Sequence, residues 1–572
     1  MKIPIAALGS PAVAEEYSMP ALQTCGTNPI FDTPILLVDL FAGCGGLGEG
    51  FATFESRPGQ HPFHIIASVE QEPSACRTLR LRSFYRRLAQ AGDPGALAGY
   101  YAYVRGEQKT PVAPDSDLAR SAWQQAEEET LERTLGEPDT GSVLKTLIHR
   151  AQTNVGRPLV LIGGPPCQAY SSVGRVRNAG IDGYRPALDH RHFLYRVYLE
   201  LLSNHRPVAF VMENVKGILS SRIAGRRLFP RILEDLASPA KAYGQDKQRQ
   251  HPHYRIYSLA DGSSFRHGQD PASIPPERFI VQAERYGIPQ NRHRVILFGL
   301  REDLANQFDR QGGVFPCLCP LTDSNVTVRP VLADLPPLHS GLSWLRSAYL
   351  AGDRRETLLA LFDRFATMIE DMELRSAFEQ AARQVTGSNL PQGGRSVAVR
   401  HSESDKNMEA PLAGLAAWYH GLDPPLVLNH ETRAHMPEDL GRYLFCAVYA
   451  GLKGVSPKAA QFPAAMAPQH RNWASGHFED RFRVQVADQP ATTVMSHIAK
   501  DGHYFIHPDP AQCRSLTVRE VARLQTFPDS YFFEGNRTQQ YTQVGNAVPP
   551  FLARQVAAVV WKLLRQLGYG AS

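Results

Sequence analysis

Pro34-Ile-Leu-Leu-Val-Asp39-Leu-Phe-Ala-Gly43-Cys-Gly45-Gly46-Leu-Gly48-Glu-Gly50-Phe51 is the stretch whose reading decides the fold. It opens with an apolar run of strand length, the pattern of a strand buried on both faces. The glycines that follow form a tight turn through which backbone can approach a ligand, and Leu47 onward starts a helix. Many nucleotide-binding α/β proteins share such a turn, so it gains meaning only when an acid closes the next strand. His64-Ile-Ile-Ala-Ser-Val-Glu70 provides that acid. Glu70 ends a second short strand about 20 residues on, where a carboxylate can hold a ribose. Pro73 then takes the favoured first position of a helix through Ala75, Leu79 and Leu81.

Three further segments repeat the grammar of a buried strand with a reactive residue at its carboxyl end. Pro158-Leu-Val-Leu-Ile162 is broken by Gly163, Gly164, Pro165 and Pro166, and Cys167 follows at once. Open α/β sheets keep their ligands at that end of the strands. A thiol there is placed like a nucleophile, whereas by itself it could equally be a buried structural cysteine. Arg175 to Pro186 then reads as a mobile polar loop. Pro207-Val-Ala-Phe-Val-Met-Glu213-Asn214-Val215 is another buried strand ending in an acid, which converges on the first. Tyr286-Gly-Ile-Pro-Gln290-Asn-Arg292-His-Arg294 precedes Val295-Ile-Leu-Phe-Gly299. Its two arginines share parity and project to one face if the segment is extended.

The chain has 572 residues, which implies two or three domains. Hydrophobic content of 43% and charged content of 20% are those of a globular protein. A net charge of +5 suits a nucleic-acid partner without demanding one. The eight cysteines are scattered, which fits a reducing cytoplasm, and Cys317-Leu-Cys319 lacks the second pair that a zinc site needs, so no metal is expected. No run reads as a membrane span or a convincing signal peptide.

Residues 1–33 read as an irregular lead-in, and 34–300 as the α/β domain. Within it, 86–157 reads as a helical insert, helical from Leu118 to Leu135 with Asp117 as its cap, and Asp139 is a candidate for a third ligand-contacting acid. From 301 to 490 strand–helix alternation fades and Pro, His and Arg rise, which marks a second domain with its own core, helical from Leu358 to Ala382. The clusters around His430, His435 and His470 read as solvated or phosphate-facing. From 491 to 572 helix grammar returns, with a capping box at Thr517-Val-Arg-Glu520 and a rigid turn, Gln543-Val-Gly-Asn546-Ala-Val548-Pro-Pro550, before an apolar helix from Phe551 to Leu567.

Taken together, these motifs resemble the DNA cytosine-5 methyltransferases, in that family's order. Asp39-Leu-Phe-Ala-Gly-Cys-Gly-Gly-Leu47 resembles the cofactor loop, Pro165-Pro-Cys167-Gln168 with Ser171 the nucleophile loop, Glu213-Asn214-Val215 the acid motif, and Gln290, Arg292 and Arg294 the paired-arginine motif. Arg514 through Pro528 and Gly545-Asn546-Ala-Val548 resemble the two carboxyl-terminal motifs. The resemblance implies an α/β fold: a Rossmann-like, class I methyltransferase sheet, mostly parallel with one antiparallel strand. A variable target-recognition domain would fill 301–490, and 491–572 would return to complete the catalytic domain. It implies S-adenosyl-L-methionine as cofactor, leaving S-adenosyl-L-homocysteine, and double-stranded DNA as partner.

The resemblance also assigns roles. Cys167 would add to cytosine C6 and make C5 nucleophilic; a thiolate is both a good nucleophile and a good leaving group. A protonated Glu213 would donate to N3, Arg294 to O2, and Arg292 would order the nucleophile loop. Gln168, Ser171, Asn214 and Gln290 would line the substrate side. Phe41 and Val548 would flank the adenine, Glu70 hold the ribose, and Asp39, Ala42, Gly43, Gly45, Gly46, Leu47 and Asn546 complete the cofactor pocket. The base must leave the stack to be reached, and Arg and His of the second domain, with Lys453 and Lys458, would contact phosphates. A tRNA-methylating branch carries the same motifs with a small recognition region, so the long 301–490 interval favours DNA. A non-catalytic homologue would lack the cysteine or the acid, and both are present. The setting would be restriction-modification or phage defence, with any nuclease residing in a partner.

Overall fold

A computed structural model of the chain describes residues 34–152, 157–165, 190–223, 225–244, 251–321, 325–343, 354–398, 410–420, 426–468, 473 and 479–569. Cys167, Gln168 and Ser171 lie outside the described residues, as do the Arg175–Pro186 loop and His470.

The first half runs β1 (Ile35–Leu40), α1 (Gly46–Ala52), β2 (Phe63–Glu70), α2 (Pro73–Ala91), α3 (Pro94–Arg105), α4 (Asp117–Glu129), β3 (Thr130–Glu132), α5 (Pro138–Gln152), β4 (Leu159–Gly163), α6 (His190–His205) and β5 (Ala209–Val215). A small hairpin, β6 (Arg222–Ile223) and β7 (Arg226–Arg227), leads to α7 (Leu228–Ala237). Then come β8 (Tyr254–Ser258), β9 (Ser264–Phe265), β10 (Ile280–Gln282), β11 (Gln290–Asn291), β12 (His293–Arg301) and α8 (Glu302–Arg310).

The main sheet has the order β3-β2-β1-β4-β5-β12-β8-β9. β3, β2, β1, β4 and β5 run parallel, while β12 lies antiparallel between β5 and β8. The sheet is mostly parallel with an antiparallel strand between β5 and β8, as the resemblance implies. The chain winds outward from β1 through β2 to β3, then returns to β4 on the other side. The carboxyl ends of β1 and β4 therefore flank a topological switch point, where such sheets open a ligand crevice. β1 and β4 are buried at every position, as their unbroken apolar runs require.

The segment expected as a helical insert differs. β3 lies inside it and is an edge strand of the sheet, in register with β2 from Ser68↔Thr130 to Glu70↔Glu132. A three-residue strand after a Glu-rich helix carries no periodicity that a sequence reading can detect. The cap of α4 is Ser116, whose side chain accepts from Ala119 N; Asp117 is the first helical residue.

The apolar core on one sheet face takes in Leu304, Ala305 and Phe308 of α8 and Leu318, so it runs past residue 301. The Leu358–Ala382 stretch is two helices, α9 (Arg354–Ala366) and α10 (Met372–Gly387), the second capped by Asp371. They form a separate core with α11 (Pro437–Lys453). His430 and His435 are not solvated. Both are buried: His430 bonds Thr517 Oγ1 and Pro336 O, and His435 bonds Ser515 Oγ. Burial pushes their pKa values down to about 4 and about 3, so they pack as neutral rings. Lys453 is paired with Asp371.

The last segment forms α12 (Val518–Leu524), α13 (Arg537–Asn546) and α14 (Pro550–Gln566). Thr517 and Glu520 make the expected capping box. α14 packs on α1 at close range: a Cβ on Gly50 would lie 2.4 Å from both Ala553 Cβ and Arg554 N. The α13–α14 stretch Arg537–Gln566 is long and apolar enough to cross a membrane, yet 67% of its 18-residue apolar window is buried inside the fold, and the stretch is interrupted before Pro550.

Candidate active site

The crevice at the switch point is a cavity of about 610 Å³ lined by residues from both halves of the chain. That volume is typical of a site for a small molecule or cofactor. Asp39, Phe41, Ala42, Gly43, Gly46, Leu47 and Glu70 line it on the side of β1 and β2, Gly163, Gly164, Pro165, Glu213 and Asn214 on the side of β4 and β5, and Asn546 and Val548 close it. Gly45 sits behind this wall, where a Cβ would meet Leu79 Cδ2 at 2.6 Å. Its φ of +90° lets the loop turn into α1, a conformation that glycine adopts without strain. Phe41 has a φ of +56°, rare for an aromatic residue, at the cavity wall.

Glu70 is held by three backbone donors. Gly43 N donates to its Oε2, and Gln71 N and Glu72 N to its Oε1, each at 2.9 Å. The carboxylate is thereby fixed at the end of β2 with lone pairs left for a diol. Asp39 is buried beside the cavity, and its Oδ2 has no hydrogen-bond partner. Burial, with a smaller push from Glu70, raises its pKa to about 8. An unpartnered buried carboxyl oxygen, an aromatic wall and a fixed carboxylate form a donor set that fits a cationic nucleoside.

The acid side is built by strand register. Arg294 pairs with Val215 across β12 and β5, which makes Glu213 its diagonal neighbour, within reach of a long side chain. Arg294 Nε meets Glu213 Oε1 at 2.9 Å, and Nη1 donates to His293 O. Gly164 leaves the carboxyl its room, because a Cβ there would come within 3.1 Å of Glu213 Oε2. Asn214 Nδ2 donates to Pro165 O at 3.2 Å, tying the end of β5 to the turn that leads to Cys167.

The two arginines take different partners. Arg292 lies between β11 and β12, and its N–H turns back to Gln290 O, so the alternation is broken. Its guanidinium is buried and donates to Val494 O and Ala547 O at 2.8 Å each, and more weakly to Gly545 O. Burial, reinforced by Arg294, pushes its pKa down. Gln290 is also interior. Its amide donates to Leu524 O and Gln525 Oε1 and accepts from Val494 N, which leaves no face for a substrate. Asp139 pairs with Arg133 on the surface, and it is Arg133 that reaches the cavity. The sequence reading missed Thr538, Thr542 and Gln543 of α13 in the cavity wall. The Asn536–Gln539 capping box, visible in the sequence, marks the start of that helix.

The C-5 cytosine-specific DNA methylase family matches the chain over residues 119–243, 277–351 and 431–562, more than half its length. The type II methyltransferase M.Bpa9945I of Bacillus paralicheniformis is 31% identical over 542 residues, covering 92% of this chain and 98% of that protein. The type II methyltransferase M.AgeI of Thalassovita gelatinovora is 24% identical, covering 91% and 98%. The DNA (cytosine-5-)-methyltransferase M.ApeKI of Aeropyrum pernix is 27% identical over 433 residues, covering 71% and 81%. The fold and the site thus define a class I methyltransferase. The chain belongs to the C-5 cytosine-specific DNA methylases and is a DNA (cytosine-5-)-methyltransferase.

Proposed function

We propose that this enzyme methylates C5 of a cytosine flipped out of duplex DNA, through a covalent bond between Cys167 Sγ and C6, with S-adenosyl-L-methionine as donor. The observation that carries this reading is Glu213, paired with Arg294 and standing in the wall of the cavity that also holds Asp39, Phe41 and Glu70. When bound, S-adenosyl-L-methionine supplies an electrophilic methyl group. Glu70 would hold its ribose and Phe41 and Val548 its adenine, with Asp39 completing the pocket at the end of β1.

Cytosine C5 is a poor nucleophile until C6 carries an added thiolate. Addition pushes negative charge onto the ring. A proton on Glu213 donated to N3 offsets that charge, and the other carboxyl oxygen accepts from the exocyclic amine, which selects cytosine over thymine. The contact that Arg294 makes with Glu213 leaves its remaining N–H groups to donate to O2. Transfer of the C5 proton to solvent water and expulsion of the Cys167 thiolate restore the aromatic ring. Asn214, by holding Pro165 O, fixes the point from which the nucleophile loop departs.

The buried thiols fit the role poorly. Burial pushes Cys76 and Cys513 up to about 12, and Cys44 and Cys446 also well up, so none is poised as a thiolate. The names of the type II relatives support a place in restriction-modification or a related defence system, and such an enzyme works in the cytoplasm. Cys167→Ser should abolish transfer and leave DNA binding intact, and duplex containing 5-fluorocytosine should be trapped on Cys167. Trapping on another cysteine, or full activity of the serine variant, refutes the assignment.

A further inference from the structure

The segment that leaves the carboxyl end of β5 has a composition that the cavity does not use. Between Glu213 and Glu234 there is no carboxylate, while Lys216, Arg222, Arg226, Arg227 and Arg231 all fall in that interval. Lys216, Arg222, Arg226 and Arg227 are exposed, and none of the four forms an ion pair with a described carboxylate. Arg231 differs, because it faces Asp235 on its own helix. An exposed, unneutralised run of cations on a folded surface is the footprint of a polyanion.

The run is mounted rigidly. Ile218 and Leu228, at its two ends, are buried in the core beneath β5 and β8. Leu228 N donates to Ser221 O at 2.9 Å, and Ser221 Oγ to Gly217 O at 2.8 Å, which closes the base of the hairpin. β6 and β7 then pair antiparallel, Arg222 opposite Arg227. Like charges facing each other across a strand pair are destabilising in isolation. Their placement makes sense when an anion lies over them.

Position selects the anion. Val215 lines the cavity, and Arg222 follows it by seven residues, a span of at most about 25 Å at 3.3–3.6 Å per residue. On a duplex rising 3.4 Å per base pair, that keeps the hairpin within about seven base pairs of a cytosine at Glu213. We propose that the Arg222–Arg227 hairpin, with Lys216 at its base, clamps the phosphate backbone of the DNA beside the reacting base. This is a sequence-independent grip on the catalytic side of the molecule, separate from whatever residues 301–490 read. It rests on DNA being the substrate and not on the covalent role of Cys167.

The test is the salt dependence of binding to a fluorescein-labelled random-sequence duplex, measured by anisotropy between 50 and 200 mM KCl. Each phosphate contact adds about 0.9 to the slope of log affinity against log salt. Arg226→Ala/Arg227→Ala should lower the slope by about 1.8, so that the variant loses about 12-fold less affinity over that range than the parent protein. Arg222→Ala alone should lower it by about 0.9. Arg226→Lys/Arg227→Lys should retain the parent slope, because the grip needs charge and not fork geometry. An unchanged slope in the alanine variants overturns the proposal. So does a reduced slope that lysine fails to restore, which would assign the arginines a structural role.

Discussion

Gly50→Ala puts the packing of α14 on α1 to a direct test. A Cβ at Gly50 would stand 2.4 Å from Ala553 Cβ and from Arg554 N, and 2.5 Å from Ala553 C. Carbon atoms pack at about 3.5–4.0 Å, so α14 must retreat by about 1 Å or more. None of the three obstructing atoms belongs to a flexible side chain, so the strain falls at the upper end of the usual 1–3 kcal/mol for overpacking, about 3 kcal/mol. Alanine returns about 1 kcal/mol through its helix propensity, leaving a net loss of about 2 kcal/mol. The control is Gly141→Ala. Gly141 lies in α5 with nothing within 4 Å of its Cβ position, so the same exchange should stabilise by up to about 1 kcal/mol. Because Val548 and Asn546 line the donor cavity just before α14, the Gly50 variant should also bind S-adenosyl-L-homocysteine more weakly. Thermal unfolding and calorimetric titration of both variants check this. If Gly50→Ala is as stable as the parent and binds as tightly, the close approach of α1 and α14 is not what shapes the pocket.

Arg292→Met keeps the volume but strips partners from Val494 O and Ala547 O, and should cost about 2–4 kcal/mol in denaturant unfolding; a stable variant would show that the arginine is dispensable to the fold. Glu70→Gln should raise the KM for the methyl donor by about 10-fold or more with kcat largely kept, since hydrogen bonds to charged groups contribute about 1.5–3 kcal/mol; a fall in kcat at unchanged KM would remove Glu70 from donor binding. Asp39 has a folded pKa raised by burial to about 8 from an ordinary 3.8, so its folded state holds a proton that the unfolded chain has lost. Its contribution is full below pH 3.8 and is lost as pH rises through about 8. Asp39→Asn should therefore flatten the decline in stability between those limits, and an unaltered pH profile would count against a buried carboxyl that keeps its proton in the folded state.

Legibility followed the range of the interactions. Glu70, Glu213 and the glycine turn are announced by local pattern, because an apolar run and the residue that ends it determine which end of a strand a side chain occupies. β3 was invisible because three residues cannot display a period. The interior partners of Gln290 and Arg292 escape a sequence reading for a different reason. Those partners, Leu524, Val494 and Gly545, lie 202 to 253 residues further along the chain, so parity within one segment carried no information about them. The same holds for His430 and His435, which look polar in isolation. They are buried only because Thr517 and Ser515, 87 and 80 residues away, take their ring nitrogens.

That long-range wiring bears on how the enzyme works. The turn Gly545-Asn546-Ala547-Val548 is held from both sides: Val548 O sits where a Cβ on Gly46 would fall, at 2.2 Å, and Ala547 O accepts from Arg292. Gly46 lines the proposed donor pocket. Arg292 stands two residues before Arg294, which grips Glu213. One short carboxyl-terminal turn therefore connects the wall of the proposed donor pocket to the strand that presents the Glu213–Arg294 pair. Arg292, immediately before β12, cannot shift without moving carbonyls that border the proposed donor pocket, and packed interiors transmit such shifts because they have little free volume to absorb them. Loosening either end of this link should thus disturb donor binding and the Glu213–Arg294 geometry together, which a substitution confined to one subsite, such as Glu70→Gln, should not do.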